Sequence, residues 1–216
     1  MARKRRAVPV AVVGAGMVKF GELFDQSYED MVVGAYRDCL KSVDKGIDER
    51  EIEAAWLGTC YAGLIKNEAL TGHGVAEPLA FFNKPVTRVT NACCTGSDAV
   101  RNAAFAVAAG AYDTVLVIGA EKMRDIPSRD SIVSQVGTVQ YLWWHPRGDN
   151  AAALFGRLAS AHMHEFGTKR EHFARISVKS HHNGTLEPHA YLSFEVTLEQ
   201  LLNTPIVAWP MGLLDS

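Results

Sequence analysis

Along the first 120 residues, short continuous apolar runs alternate with segments whose apolar positions recur at helical spacing. Runs of this length that are rich in β-branched residues are typical of strands buried on both faces of a parallel sheet. We expect four such strands, at residues 9–13, 54–60, 85–91 and 114–118. The order of strand and helix predicts a layered α/β domain.

Capping residues and apolar spacing predict the helices between these strands. Ser27 can cap a helix that reaches Leu40, and Asp48 can cap a short helix that carries Ile52. Residues 68–82 are apolar with few breakers and also predict a helix. An alanine-rich helix is expected at residues 97–109.

The remainder of the chain differs in composition, because histidine, arginine, tryptophan and proline become more frequent after residue 120. The pattern predicts a loop at residues 126–150, helices at residues 151–166 and 170–183, and no strong strand. We therefore predict two parts, an α/β core of residues 1–120 and a mainly helical loop domain, or cap, of residues 121–216.

Composition narrows the classes of protein. The chain has 216 residues, 48% of them hydrophobic, and this composition favours a globular fold. Its net charge is -2, whereas nucleic-acid-binding domains typically carry a basic face. No apolar run reaches the ~18 residues of a membrane span. Four cysteines form neither a disulfide framework nor zinc knuckles, so we expect a reduced, cytoplasmic protein. The basic residues 3–6 are interpreted as a solvated tail, with a targeting segment as the alternative.

Two familiar kinds of binding site are weighed against simpler explanations. Gly14 and Gly16 follow a predicted strand, as in dinucleotide-binding turns, but Lys19 stands at the third glycine position. His164 and Glu165 would begin a zinc motif, but Thr168 stands where its second histidine belongs. We expect no metal site and treat dinucleotide binding as the minor alternative.

Cys93 is the candidate nucleophile. It lies at the end of a predicted strand and just before a predicted helix, where free N–H groups and the helix dipole stabilise a thiolate. The simpler interpretation is that Cys93 and Cys94 are two small buried residues, since free cysteine is often buried. The local pattern leaves both interpretations open.

A wider set of motifs resembles the thiolase family. Residues 91–97 read Asn-Ala-Cys-Cys-Thr-Gly-Ser, an alanine-rich helix follows, and residues 110–123 end in Gly-Ala-Glu-Lys-Met. The resemblance is strongest to the sterol-carrier-protein type and its bacterial and archaeal relatives. It extends over further motifs along nearly the whole chain, at residues 14–20, 155–156, 162–163, 166–169, 171–174, 205–207 and 213–215.

This resemblance implies a fold, a reaction and roles for individual residues. The fold is a mixed, mostly parallel sheet with helices on both faces, plus the helical loop domain. Cys93 is the nucleophile that accepts the acyl group, its backbone N–H donates to the thioester oxygen, and Leu154 and Phe155 line the acyl pocket. Trp143 and Trp144 line a ligand tunnel or pack a loop against the body.

The implied activity is that of an acyl-CoA C-acyltransferase with coenzyme A as substrate and no bound cofactor. Thiolases have two similar halves, and the catalytic histidines belong to the second half, whose motifs this sequence does not contain. We therefore expect an N-terminal fragment of a longer enzyme that is incomplete as a catalyst, with one of two separate chains or a vestigial product as the alternatives. The full-length form is expected to be a homo-oligomer, a dimer or tetramer, paired through residues 86–91. The alternative function is a non-catalytic scaffold or CoA-ester-binding subunit that works with a partner protein.

Overall fold

The computed structural model describes residues 8–65, 71–128, 130–131 and 150–215. It divides into two compact units. The first contains the chain up to Val18 together with Leu23–Pro127, and the second contains Lys19–Glu22 and the chain from Ser128 onward. The functional division into a core and a cap stays a prediction.

A three-stranded parallel sheet forms the centre of the first unit. Strands β1 (Ala54–Gly58), β2 (Val86–Val89) and β3 (Val115–Gly119) are arranged in the order β2-β1-β3. Ala55 pairs with Val86 on one side and with Leu116 on the other. The central strand β1 is therefore bonded along both edges, and nearly all of its side chains are buried. Three of the four predicted strands are confirmed.

The predicted strand at residues 9–13 is wrong. These residues pair with no strand in the described part of the chain, and Val12 is 84% exposed. A strand needs a neighbour for its backbone N–H and C=O groups, and none of the strands β1, β2 and β3 pairs with these residues. The following residues instead contact the first helix, where the Ala15 N–H donates to Ser42 Oγ at 2.8 Å.

Gly14 and Gly16 are explained by this contact. A Cβ built on Gly16 would lie 2.0 Å from the backbone nitrogen of Cys39 and 2.6 Å from the carbonyl oxygen of Ala35. Only glycine allows the chain to approach the helix backbone so closely. Close packing within the first unit therefore explains why glycine stands at both positions, and no bound dinucleotide is needed to explain it.

Helices cover both faces of the sheet. Helix α1 (Tyr28–Lys41) begins with the expected cap, in which Ser27 and Asp30 bond reciprocally to each other's backbone N–H. Its buried residues join a hydrophobic core with the β1 side chains Ala55 and Leu57. The alternate β1 residues face helix α3 (Thr95–Ala108), whose Ala99 and Ala103 are buried, as their small size predicts.

The prediction of a helix at residues 68–82 is wrong over residues 71–82. Residues 66–70 lie outside the described part of the chain. A short helix α2 (Ala62–Ile65) precedes that gap, and Gly72–Val75 form one 3-10 turn. Ala80 then adopts a left-handed φ of 53°, which does not continue a helix. Val75, Leu79 and Phe81 are buried in the core, whereas Phe82 is exposed, so the apolar pattern reflects partial burial rather than helical periodicity.

The second unit is mainly helical, as predicted. Its elements are α4 (Ala151–Phe166), α5 (Arg170–Leu186), α6 (Leu198–Leu202) and a hairpin of β4 (Ile206–Ala208) and β5 (Met211–Gly212). The sequence missed α6, although Thr197 and Gln200 form its capping box, and it missed the short hairpin. Most of the predicted loop at residues 126–150, including Trp143 and Trp144, lies outside the described residues.

Candidate active site

The three strands place their following residues along one edge of the sheet. Because β1, β2 and β3 are parallel, their carboxyl ends share that edge, where open α/β sheets bind ligands. Cys60 follows β1, Cys93 follows β2, and Glu121 follows β3. Residues that the sequence separates by up to 61 positions therefore flank a single edge.

Cys93 occupies a tight turn between β2 and α3. The Cys94 N–H donates to the carbonyl oxygen of Asn91 at 3.0 Å, which closes a four-residue turn with Cys93 at its third position. Ala92, the residue before it, has a φ of 46°. The turn carries Cys93 from the sheet edge directly to the start of the helix.

Both cysteines of the pair are exposed. The interpretation of Cys93 and Cys94 as two small buried residues is therefore wrong. Cys94 is the cap residue of α3, and its carbonyl oxygen accepts from the Asp98 N–H at 2.8 Å. Cys93 thus lies two residues before the first helical residue, near the positive end of the helix dipole, as predicted.

Thr95 supports this turn from within the protein. It is buried, and its hydroxyl donates to the Ala92 carbonyl at 2.7 Å and accepts from the Asn91 N–H at 2.8 Å. A Cβ added to Gly58 of the central strand would lie 3.3 Å from the Thr95 methyl group. The side chain therefore contacts the sheet with one end and bonds the turn with the other.

Glu121 links the carboxyl ends of β3 and β1. Its carboxylate accepts hydrogen bonds from the Thr59 hydroxyl at 3.2 Å, from the Tyr61 N–H at 3.0 Å and from the Cys60 N–H. The sequence alone predicts no role for Glu121, although the residue belongs to one of the motifs that carry the family resemblance. The signal available was a carboxylate directly after a buried strand.

The other predicted site residues lie in the second unit. Leu154 is half-buried on α4, and Phe155 beside it is 57% exposed. Their role in an acyl pocket stays a prediction. A groove of the second unit is lined by residues of α6 and its surroundings and includes neither of them.

Several histidines of the second unit have hydrogen-bonding partners. His182 contacts Glu195 at 2.7 Å, and His189 contacts Glu187 at the same distance. Hydrogen bonds from the backbone and side chain of His189 lower the pKa of Glu187. Within the described ranges, no group of three metal-binding side chains occurs, and no helix has both the length and the apolar character to cross a bilayer.

Comparison with known proteins supports the resemblance. Residues 10–196 match the family model of the thiolase N-terminal domain. An acetyl-CoA acetyltransferase from Methanothermobacter thermautotrophicus is 34% identical over 206 residues, which cover 95% of this chain and 53% of that protein. Sterol carrier protein 2 of Oryctolagus cuniculus is 30% identical and is covered over 38% of its length.

Solved structures agree at the level of the fold. A chain of an Ltp2-ChsH2(DUF35) aldolase superposes with a TM-score of 0.76 at 21% identity, over 95% of this chain and 51% of that one. An acetyl-CoA acetyltransferase from Syntrophomonas wolfei superposes with a TM-score of 0.59 at 18% identity. The chain spans about half the length of the acetyl-CoA acetyltransferases that it matches. With a family model matched along most of its sequence, this chain belongs to the thiolase family.

Proposed function

We propose that this chain carries the nucleophile of a thiolase-type acyl-CoA C-acyltransferase, with Cys93 as the residue that accepts the acyl group. The observation that carries the proposal is the exposed thiol in a tight turn at the head of α3, on the carboxyl edge of a parallel sheet. A nucleophile in this position is accessible to a large thioester and lies near the helix dipole.

In the proposed reaction, the thiolate of Cys93 attacks the C3 ketone of a 3-oxoacyl-CoA. The C2–C3 bond breaks, acetyl-CoA leaves with the electron pair and takes up a proton, and the acyl group remains on Cys93 as a thioester. The thiol of a second coenzyme A then attacks this thioester, and the released Cys93 sulfur recovers its proton. The reverse sequence is a condensation. The backbone N–H of Cys93 donates to the developing oxyanion.

The proposed enzyme needs groups beyond this chain. A cysteine nucleophile requires a general base, and the histidine motifs that supply one in thiolases have no match in this sequence. We assign the base to a second thiolase half, in the same longer protein or in a partner chain. Coenzyme A is a substrate rather than a bound cofactor, and Leu154 and Phe155 contribute to the acyl pocket. A cytoplasmic homo-oligomer, a dimer or tetramer paired through residues 86–91, completes the proposal.

Acyl transfer to Cys93 is tested directly by mass spectrometry. After incubation with acetyl-CoA, whose thioester exchanges with the thiolate fraction of a cysteine without cleavage of a carbon–carbon bond, the protein gains the mass of one acetyl group, and peptide mapping assigns it to Cys93. Cys93→Ser abolishes the label, whereas Cys94→Ser, the matched control one residue away, keeps it. Labelling of Cys94, or of neither cysteine, contradicts the assignment.

The second candidate is a non-catalytic thiolase-like subunit that binds CoA esters together with a partner protein. It draws support from the structural neighbour whose name joins two proteins, Ltp2 and ChsH2, in one aldolase. Calorimetric titration with an acyl-CoA separates the two candidates. The scaffold predicts equal binding by the wild type and by Cys93→Ser, with no acyl label on either.

A further inference from the structure

The turn that carries Cys93 is held by a side chain that does not touch substrate. We propose that Thr95 is a positioning residue for the Cys93 thiol and that it acts through its hydroxyl group. This inference rests on the proposed role of Cys93. The hydroxyl bonds the first two residues of the turn, donating to the Ala92 carbonyl and accepting from the Asn91 N–H.

These two hydrogen bonds restrain the backbone of the turn at Asn91 and at Ala92. The Asn91 carbonyl is already bonded to the Cys94 N–H, so the hydroxyl completes the hydrogen bonding of that residue's backbone. Ala92 has a φ of 46°, a conformation that a residue with a side chain avoids unless its surroundings enforce it. The Ala92 carbonyl accepts from the Thr95 N–H at 3.1 Å and from the Thr95 hydroxyl at 2.7 Å, so the hydroxyl adds the shorter of two bonds that restrain this residue directly before Cys93.

Three features of the structure hold Thr95 in place. It is the first residue of α3, its side chain is buried, and its methyl group contacts the position of Gly58 in the central strand. Beside it, the Thr59 N–H donates to the Val89 carbonyl at 3.2 Å and ties β1 to the end of β2. The turn that carries the Cys93 thiol is thereby anchored to the central strand of the sheet.

Two substitutions separate the hydroxyl from the methyl group. Thr95→Val keeps the shape of the side chain and its contact with Gly58 but removes both hydrogen bonds. Thr95→Ser keeps the hydroxyl and removes only the methyl group. A positioning role of the hydroxyl predicts that valine disrupts the turn and that serine preserves it.

The measurement is the ratio of the initial iodoacetamide alkylation rates of Cys93 and Cys94, two adjacent exposed thiols that differ in their place in the turn. In the folded wild type we expect this ratio to differ at least ~5-fold from that of the urea-unfolded protein. Thr95→Val should bring the ratio to within about 2-fold of the unfolded value, and Thr95→Ser should keep it within about 2-fold of the wild type. Single-turnover acetylation of Cys93 should fall at least ~10-fold in Thr95→Val and recover in Thr95→Ser.

Three results overturn the inference: a wild-type ratio equal to that of the unfolded chain, a wild-type ratio retained in Thr95→Val, or an equal loss in Thr95→Ser and Thr95→Val. Circular dichroism establishes that each variant is folded. If Thr95→Val does not fold, Thr95→Ala removes the same hydroxyl without adding atoms, and its ratio is judged by the same limits. A wild type that shows the alkylation pattern but no acetylation of Cys93 contradicts the proposed function and leaves the positioning role supported.

Discussion

At the scale of single residues, the most informative position is Ala92. Its left-handed backbone costs about 1–2 kcal/mol in a residue that carries a Cβ, and the conformation occurs directly beside the proposed nucleophile. Glycine adopts the same backbone without that cost, although it loses more entropy on folding. The turn is therefore kept at the expense of stability.

We expect Ala92→Gly to raise the free energy of unfolding by about 0.5–1 kcal/mol, because relief of the left-handed strain exceeds the added entropy loss. Urea denaturation measures the change. The matched control is Ala104→Gly in the interior of α3, which should lower the free energy by about 1 kcal/mol. A loss of stability in both variants would show that Ala92 carries no strain.

Residue-scale prediction succeeded where a short stretch of sequence contains the whole interaction. The cap of α1 by Ser27 was predicted from the sequence, because the acceptor side chain and the N–H that it bonds are three positions apart. The place of Cys93 between a strand and a helix could likewise be predicted. The role of Glu121 could not, because its three donors lie 60 to 62 positions away and come together only when two strands pair.

At the scale of secondary-structure elements, the same principle explains the two errors. The apolar run at residues 9–13 indicates burial but contains no information on whether a sheet edge is available to it. In the other segment, the described residues 71–82 are buried in part without forming the expected helix, since core side chains such as Val75 and Phe81 can be supplied from turns. Both failures concern tertiary partners, and local propensity does not encode them.

The link that Glu121 makes between β3 and β1 should be measurable in stability. We expect Glu121→Ala to lower the free energy of unfolding by about 2–3 kcal/mol, because partly buried N–H groups lose their acceptor. Glu121→Gln, which keeps one acceptor oxygen, should cost about 1 kcal/mol. Glu165→Ala on the exposed face of α4 is the control and should change stability by less than about 0.5 kcal/mol. Equal stability of Glu121→Ala and the control would show that Glu121 does not stabilise the connection between β3 and β1.

Tyr36 connects α1 to the 3-10 turn at Glu49–Glu51 through a hydrogen bond from its hydroxyl to Glu49 at 2.8 Å. Burial, together with the hydrogen bond and charge of Glu49, raises the pKa of Tyr36. In the unfolded chain a tyrosine ionises near pH ~10, so above that pH the unfolded state has lost a proton that the folded state keeps. This contribution to stability is present below pH ~10 and is lost as the pH rises toward the folded pKa.

Urea denaturation of the wild type and Tyr36→Phe between pH 8 and pH 11 tests this sign. The wild type should be more stable by about 1 kcal/mol at pH 8, and the difference should shrink above pH ~10. Other tyrosines and lysines titrate equally in both proteins and cancel. A difference that grows with pH would contradict the raised pKa.

At the scale of the whole molecule, many large apolar side chains face solvent. Val100 is 51% exposed and Phe105 is 65% exposed on α3, whereas Ala99 and Ala103 are buried. The helix therefore presents an apolar face to solvent as well as to the sheet. Apolar surface on this scale, in a chain that spans about half of its relatives, is typical of an interaction site.

We expect residues 1–216 alone to self-associate and to catalyse no thiolysis of acetoacetyl-CoA, because the base is missing and the apolar surface lacks a cover. Sedimentation velocity over a range of concentrations measures the association. Phe105→Glu should weaken it, whereas Asn183→Glu, a matched change on the exposed face of α5, should not. A monomer with robust turnover that depends on Cys93 would show that no second half is required.

The central position of β1 also has a consequence for how the fold opens. A strand bonded on both edges can exchange its amide protons only when a neighbour has separated, whereas β2 is bonded on one edge and is only partly buried. Protection against hydrogen exchange should therefore be nested, with β1 released last. Cys93 follows the strand that is released earlier, so hydrogen exchange should reach the proposed reactive end of the sheet before it reaches the central strand.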